Sequence, residues 1–435
     1  MNKKQKNITI AAAALLVAGL GTFLTIELIN KNNFQTVSEV IETSNANDQK
    51  SEDYFETAEK YTLELKDGEN KIEKSGVYTV TGSTANGYIY INTGEDKVKL
   101  ILSNATIKNL SGPAIYVESN GNVHIETVGE NNLSATTTED LDAAIYSKAD
   151  LVFKGDGTLN IESDEDGIKG KDDVKIKSGT INVTAGDDGI KGNDSVTIQD
   201  GNVTVKKSKE AIESKVVNII GGNVDLIASD DGINASDDNC SSNTMSPTGN
   251  ANITECKINI TGGTVKVNAS GDGIDSNGSI YLSGGEVYVD GPSNSGNGAL
   301  DYDGVFEITG GKIIATGMSG MALNASSATQ GSALVNLPQT YSTGQTVAID
   351  DVTFTPTKSF NSIMVSSASF EKGKSYELKI DGQTVQTIEF SDYLVGSGNQ
   401  GGPSGQGGPG DQGGPGGQTS QEGQDPQNNR QRMRN

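Results

Sequence analysis

Short stretches in which apolar and polar residues alternate recur along most of the chain. Val174-Lys-Ile, Val196-Thr-Ile and Val217-Asn-Ile are each followed by a glycine turn and then by a second alternating stretch, such as Val203-Thr-Val. Alternation with a period of two predicts β-strands that bury one face. Glycine between two such stretches indicates a tight turn. The pattern therefore predicts a repeated unit of two short strands joined by a turn.

A third element, the phrase Asp-Gly-Ile, closes each unit. Asp166-Gly-Ile-Lys-Gly returns as Asp188-Gly-Ile-Lys-Gly, 22 residues later. We call the aliphatic residue of this phrase, or its equivalent in less regular units, the corner residue. The corner residues are Ile115, Ile145, Ile168, Ile190, Ile212, Ile233, Ile274, Leu300 and Leu323.

The spacing of the corner residues indicates the fold. Most steps are 21 to 30 residues long, and the one step of 41 contains an apparent insertion from about Asn239 to Cys256. A repeat of this size indicates a solenoid. We predict an all-β fold, namely a right-handed parallel β-helix of about nine to ten coils, in which the corner residues stack about 4.8 Å apart.

The composition changes outside the repeats. The chain begins with a basic stretch and an apolar run, which is typical of a signal anchor or of a cleaved signal peptide. In both cases we expect the remainder to lie outside the cell, anchored to the membrane or secreted. The predicted regions are the signal segment 1–30, a polar spacer 31–60, the parallel β-helix 61–335, a small β cap 336–395 and a disordered Gly/Pro/Gln-rich tail 396–435.

Charge and residue usage exclude several functions. The net charge of -24 argues against nucleic acid and anionic lipid as partners, and favours cations or acidic ligands bridged by a divalent metal. His124 is the only histidine, which excludes multi-histidine metal centres and gives a Ser-His-Asp triad little support. No arginine precedes Arg430, so only a lysine could act as the base of a lyase.

The two cysteines, Cys240 and Cys256, lie at the insertion and can pair with each other. A disulfide that closes this loop would contribute about 3 kcal/mol. Two free thiols are the alternative, which an exported chain disfavours.

Stacked corners would bring carboxylates into a column. Neighbouring carboxylates about 4.8 Å apart repel by about 3.5 kcal/mol at an effective dielectric constant of 20, so the column needs compensation. Interleaved lysines can supply it, and Ca²⁺ is the alternative because it binds carboxylate and amide oxygens. The column would contain Asp166, Asp188, Glu210, Asp231 and Asp272.

Lysines become rare after Ile212 while acidic residues continue, so we expect the metal in the second half of the repeats. The candidate ligands there are Asp230, Asp231, Asn234, Asp272, Asp275, Asp301 and Asp303.

Tyrosine is the residue available for stacking against sugars, because the chain has no tryptophan. Tyr116 and Tyr146 follow equivalent corner residues, whereas Tyr281 and Tyr302 lie further along the chain. We take these four as candidate carbohydrate-binding residues. The alternative is that they are ordinary exposed tyrosines.

The serial Asp-Gly-Ile phrases, the glycine-pair turns, the insertion and the Gly/Pro/Gln tail together resemble one family. It comprises cell-surface carbohydrate-binding domain proteins with a calcium-binding right-handed parallel β-helix that looks like that of polysaccharide lyases. The resemblance implies binding of cellulose-like and acidic, pectin-like polysaccharides. It also implies a Ca²⁺ role for Asp166, Asp188, Asp231 and Asp272.

We therefore expect a non-catalytic, extracellular, calcium-dependent binder of acidic or cellulosic polysaccharide. We expect it to be a monomer, attached to the membrane through its N-terminal segment, with no nucleic-acid partner. The alternatives are a calcium-dependent polysaccharide lyase with a lysine base, and an adhesin or stalk that binds no glycan.

Overall fold

The computed structural model describes residues 50–119, 121–237, 240 and 255–396. The predicted signal segment, most of the spacer, most of the insertion and nearly all of the tail lie outside the described residues. The chain divides into two compact units, Met1–Thr57 and Ala58–Asn435. Residues 50–57 of the first unit are helical. Within the described ranges, no helix is long and apolar enough to cross a membrane.

The second unit is built almost wholly of strands that wind into a parallel β-solenoid of about 11 turns. This confirms the predicted all-β parallel β-helix, with slightly more coils than the nine to ten expected. Each strand pairs in parallel with the equivalent strand of the next coil, which produces three sheets. We name them sheet 1, sheet 2 and the corner sheet, after the first strand, the second strand and the corner of each repeat.

The three sheets contain the following strands. Sheet 1 begins with Lys60–Leu65, Gly76–Gly82, Val98–Ser103, Val123–Val128, Leu151–Gly155 and Asp173–Ile176. Sheet 2 begins with Thr106–Asn109, Glu130–Ala135, Thr158–Ser163, Thr180–Thr184, Asn202–Lys207 and Asn223–Ala228. The corner sheet contains Gly68–Ile72, Gly87–Ile91, Ile115–Val117, Ala143–Ser147, Asp166–Gly170, Ile233–Ala235, Ile274–Ser276 and Leu300–Tyr302.

Longer strands run through two sheets in the later coils. Ile190–Ile198 and Ile212–Ile219 belong to the corner sheet and then to sheet 1. Lys257–Ala269, Ser279–Asp290 and Phe306–Gly317 belong to sheet 1 and then to sheet 2. The short strand Ser327–Ala328 pairs with the last of these.

Eight of the nine predicted corner residues form the expected ladder in the core, whereas Leu323 is half-buried and lies outside any strand. Those from Ile115 to Leu300 pair in register from coil to coil and are at most 2% exposed. The ladder also reaches one coil further back, to Ile89, whose unit lacks the Asp-Gly pair. The buried Asn70 occupies the equivalent place in the coil before that. These early coils account for the extra turns.

The glycine before the corner residue is required by the packing of sheet 2. A Cβ atom on Gly232 would lie 2.1 Å from the Cγ1 of Val267, and one on Gly273 would lie 2.3 Å from the Cγ1 of Val289. Both valines are buried, so nothing larger fits without displacing them. This steric limit explains why the repeated phrase is Asp-Gly-Ile.

The last coil continues into a C-terminal module, which we define as residues 331–396. Phe360–Ser367 pairs antiparallel with Phe306–Gly317 and with Gly331–Tyr341, and Leu394–Val395 pairs with Gly331–Tyr341 in parallel. The 3₁₀ turn Ser319–Met321 precedes the module. A second, antiparallel sheet contains Val347–Ile349, Val352–Phe354, Ser375–Ile380 and Gln383–Glu389.

Candidate functional site

The residue directly after each corner residue lies on the outer face of the corner sheet. It alternates with the buried corner residue and pairs in register with its equivalent one coil away, at about 4.8 Å. We call this line of residues the corner column. From the N-terminal end it contains Tyr90, Tyr116, Tyr146, Lys169, Lys191, Glu213, Asn234, Asp275 and Asp301.

The aspartates of the Asp-Gly-Ile phrases hold the backbone of neighbouring coils. The backbone N–H of Asp188 donates to the Oδ1 of Asp166 over 2.9 Å, and that of Asp272 donates to the Oδ1 of Asp231 over 2.6 Å. Asp166 and Asp188 are each only 2% exposed. These carboxylates therefore have a structural task in addition to any binding task.

In the N-terminal half, lysines of the corner column neutralise these acids. Lys169 lies 2.9 Å from Asp166 and 2.6 Å from Asp142, and Lys191 lies 2.7 Å from Asp188 and also pairs with Glu213. Each of these two lysines thus bridges a carboxylate of its own coil and one of a neighbouring coil.

The carboxyls around Lys191 titrate as a coupled group. Burial and the hydrogen bond to Glu213 together raise the pKa of Asp188 to about 8, although Lys191 opposes the shift. Burial acts in the same direction on Glu213, but its hydrogen bonds to Asp188 and Lys191 hold its pKa below the usual value. Burial disfavours the ammonium of Lys191, yet the two carboxylates more than offset this and raise its pKa. Lys191 therefore remains protonated.

In the second half, three carboxylates meet without a lysine. One oxygen each of Asp231, Asp272 and Asp275 lies within 4.8 Å of the others. We call these three residues the acidic cluster. Among the ion pairs formed by described residues, none involves a member of this cluster. Asn234 lies between them in sequence and pairs in register with Asp275.

The electrostatics of the acidic cluster reflect this lack of compensation. Burial, together with the charges of Asp231 and Asp301, raises the pKa of Asp275 to about 8. Burial likewise raises the pKa of Asp272 to about 6. The Oδ1 of Asn234 is buried and has no hydrogen-bond partner. A buried acceptor without a donor is uncommon, and here it stands beside carboxylates that lack a counter-charge.

The donor set of the acidic cluster fits a hard divalent cation. Such ions prefer carboxylate and amide oxygens, and the cluster with Asn234 offers only these. Two further groups of acids lie close enough together to hold an ion, but both include Asp188 and therefore compete with the ammonium of Lys191.

The other predicted ligands lie around the acidic cluster. Asp301 is the next member of the corner column after Asp275, and its Oδ1 accepts the backbone N–H of Tyr302 over 2.8 Å. Burial and the charge of Asp301 raise the pKa of Asp303. The backbone carbonyl of Asp230 accepts the N–H of Gly271 over 2.8 Å.

The structure brings together two of the four predicted carbohydrate-binding tyrosines. Tyr116 and Tyr146 are neighbours in the corner column, with ring centroids 5.9 Å apart, and Tyr90 extends the row at 5.5 Å from Tyr116. Tyr281 lies on sheet 1. The ring of Tyr302 packs 6.1 Å from Phe306, and its hydroxyl donates to a backbone carbonyl over 2.6 Å.

Sequence reasoning missed Tyr90 and Glu213 as members of the site. Both directly follow a corner residue, so a comparison of that one position in every unit would have found Glu213. Tyr90 is harder to find, because Tyr88, rather than glycine or alanine, precedes Ile89. The structure also joins Cys240 and Cys256 in a disulfide.

Three likenesses to known proteins accompany this geometry. A family model described as carbohydrate-binding domain-containing protein matches residues 66–320. A carbohydrate-binding domain-containing protein of Acetivibrio thermocellus is 31% identical over 126 residues, which cover 26% of this chain and 44% of the relative. The chain thus spans less than half of that relative's length. A polysaccharide lyase-like protein from C. thermocellum, solved as a gadolinium derivative, shares 28% identity with a TM-score of 0.41, covering 56% of this chain and 95% of that one.

Proposed function

Because this chain belongs to the family of carbohydrate-binding domain-containing proteins, we propose that it binds acidic polysaccharide through Ca²⁺ without cleaving it. The observation that carries the proposal is the corner column. One continuous line of outward positions presents three tyrosines at one end and the uncompensated acids at the other.

The two ends of the corner column suit two parts of an acidic glycan. Tyr90 and Tyr116 are half-buried, so their rings can stack on the apolar faces of sugars, whereas Tyr146 is only 7% exposed and supports the row from beneath. Asp231, Asp272, Asp275 and the amide oxygen of Asn234 would hold the ion. Bound Ca²⁺ supplies positive charge that attracts uronate carboxylates, which reconciles an acidic protein with an acidic ligand. Tyr116 and Asp275 are six coils apart, or about 29 Å, so one extended oligosaccharide could contact both.

The lysines of the corner column support binding rather than lyase chemistry. A catalytic base must lose its proton near neutral pH, so its pKa has to be lowered. The neighbouring carboxylates instead raise the pKa values of Lys169 and Lys191. Burial lowers the pKa of Lys358, but its ammonium donates to the carbonyl oxygens of Ala269 and Asp290.

We place this activity outside the cell. A disulfide between Cys240 and Cys256 persists in oxidising compartments and is rare in the cytosol. Attachment to the membrane through the N-terminal segment and a monomeric state remain part of the same proposal.

Affinity electrophoresis in gels that contain polygalacturonate tests the proposal. We expect the wild-type protein to be retarded with Ca²⁺ and not with EDTA. Asp275→Asn should lose most of the retardation and Tyr116→Ala part of it. Tyr393→Ala removes an exposed tyrosine outside the corner column and serves as the matched control.

Unchanged wild-type mobility under all conditions would contradict polysaccharide binding. Retardation that persists in EDTA would contradict the role of calcium. A rise in ultraviolet absorbance from unsaturated products, during incubation with polygalacturonate and Ca²⁺, would show that the protein is a lyase.

A further inference from the structure

A cavity lies between sheet 2 and the C-terminal module, away from the corner sheet. Its volume is about 560 Å³, within the roughly 300–1,000 Å³ typical of sites for small ligands. Residues of the last coils form its floor, and the strand Val352–Phe354 with the loop after it forms one wall. We call this cavity the seam groove.

The floor of the seam groove is an ordered row from three successive coils. Asp225, Lys266 and Tyr288 pair in register on sheet 2, so their side chains stand side by side over about 10 Å. Asp225 and Lys266 are exposed, and Tyr288 is half-buried. The row offers an acceptor, a donor and an aromatic ring in sequence.

The aromatic part of the groove spans both of its sides. The ring of Tyr288 lies 5.9 Å from that of Phe354, at an interplanar angle of 38°. The hydroxyl of Tyr288 donates to Glu286 over 2.9 Å, which fixes the orientation of the ring. An aromatic surface beside carboxylates and hydroxyls matches a sugar, which has apolar C–H faces and polar edges.

The walls of the seam groove are held in place before any ligand arrives. The backbone N–H of Thr357 donates to the Oδ2 of Asp290 over 2.6 Å, and Asp290 is only 4% exposed. The amide of Asn268 donates to the hydroxyl of Thr357 over 3.0 Å. Lys358 donates to the carbonyl of Asp290 over 3.0 Å. A preformed groove reduces the entropy that binding must overcome.

The charges of the groove select among sugars. Asp225, Glu286 and Asp290 line it together with Lys266, while Lys312 lies 3.8 Å from Glu286 and Lys358 donates to the carbonyl of Asp290, so the groove has no excess of ammonium groups. The groove therefore has no net positive charge to attract a uronate, whereas the hydroxyls of a neutral sugar can donate to the exposed carboxylate of Asp225. No part of the acidic cluster lines the groove.

We propose that the seam groove is a calcium-independent binding site for a neutral oligosaccharide segment, with Tyr288 as its stacking residue and Asp225 as an acceptor for sugar hydroxyls. This rests on the proposed polysaccharide-binding function and adds to it a second site of different specificity. A glycan with both uronate and neutral residues, or two different glycans, could then be engaged by one chain.

Titration calorimetry in EDTA tests this with neutral hexasaccharides of β-1,4-linked glucose, mannose and xylose. We expect wild-type protein to bind at least one of them, and Tyr288→Ala to weaken that binding at least tenfold. Because Tyr288 also packs against the core of the C-terminal module, Asp225→Ala provides a second variant at an exposed position that should not disturb folding. We expect it to weaken binding severalfold.

Asp275→Asn is the matched control, since it alters the acidic cluster and should leave neutral-sugar binding in EDTA unchanged. Absence of binding to all three hexasaccharides, or unaltered binding in both groove variants, would overturn the seam-groove proposal. Calcium-dependent retardation by polygalacturonate would survive in that case. Conversely, neutral-sugar binding without such retardation would leave the groove intact and refute the function proposed for the corner column.

Discussion

Replacing Asp275 by asparagine should stabilise the metal-free protein while abolishing its stabilisation by Ca²⁺. Each pair of carboxylates in the acidic cluster, at up to 4.8 Å, repels by at least about 3.5 kcal/mol at an effective dielectric constant of 20. Asp275→Asn removes one partner of two such pairs. Relaxation and solvent reduce the benefit, so we expect a gain of about 1–3 kcal/mol in the free energy of unfolding at pH 8.5 in EDTA.

The same carboxylates determine whether stability rises or falls with pH. The folded-state pKa values of Asp275, about 8, and of Asp272, about 6, lie above the ordinary value of 3.8. Between pH 4 and 8 the folded protein therefore binds more protons than the unfolded chain, so stability falls as pH rises. We expect the melting temperature of the wild type in EDTA to decrease through this window, and that of Asp275→Asn to decrease less.

Thermal melts followed by circular dichroism at pH 5, 7 and 8.5, with EDTA or with Ca²⁺, measure both effects. Ca²⁺ should raise the melting temperature of the wild type most at pH 8.5, because the ion competes with protons for the carboxylates. Asp140→Asn removes an equal charge from an exposed turn and should behave as the wild type does. Parallel pH profiles for wild type and Asp275→Asn, or equal stabilisation of both by Ca²⁺, would refute the reasoning.

Three further variants test other parts of the structure. Lys191→Met should destabilise the protein by about 3–5 kcal/mol at pH 8.5, because the buried Asp188 loses its counter-charge. In urea denaturation this loss of stability should be smaller at pH 5. A loss of stability that does not depend on pH would contradict this. Gly232→Ala should lower the free energy of unfolding by about 1–3 kcal/mol, since the new methyl group overlaps a buried valine of sheet 2. An unchanged denaturation midpoint would show that sheet 2 rearranges to accommodate the methyl group. The double variant Cys240→Ser, Cys256→Ser should have a free energy of unfolding about 3 kcal/mol lower than that of the oxidised wild type. Equal denaturation midpoints would mean that the disulfide does not stabilise the protein.

The fold could be predicted from the sequence because one steric rule repeats in the coils from Ile115 to Leu300. A small residue, then an aliphatic corner residue, is required wherever a valine of sheet 2 packs behind the corner, as at Gly232 and Gly273. Because the rule applies once per coil, the sequence shows a period that can be counted. The coil of Ile89 does not follow the rule, because Tyr88 rather than glycine or alanine precedes its corner residue.

The sites could be predicted only where they follow that period. The stacking of the Asp-Gly-Ile aspartates, which include Asp231 and Asp272, follows from the register of the coils alone. The seam groove was not predicted, because Phe354 belongs to a module with no repeat and its partner Tyr288 is 66 positions away in sequence. A contact between a periodic and a non-periodic part of a chain has no regular sequence spacing from which it could be predicted.

The register of the corner column also predicts how one residue decides between a neutralised corner and a metal site. Lys191 bridges Asp188, three residues before it, and Glu213, one coil later. Asn234 has the same relation to Asp231, three residues before it, and to Asp275, one coil later.

Asn234→Lys should therefore place an ammonium group between Asp231 and Asp275, two of the three carboxylates of the acidic cluster, and reproduce the corner of Lys191. We expect a higher melting temperature in EDTA, no further increase with Ca²⁺, and loss of calcium-dependent retardation by polygalacturonate. Asn234→Gln keeps an amide oxygen without the charge and is the control that should retain some response to Ca²⁺. If Asn234→Lys still gained stability from Ca²⁺, the ion would bind elsewhere, and the lack of a lysine at this corner would not be what makes the site. If the lysine variant instead lost stability in EDTA, the carboxylates of the cluster would not need a counter-charge, and their raised pKa values would reflect burial alone.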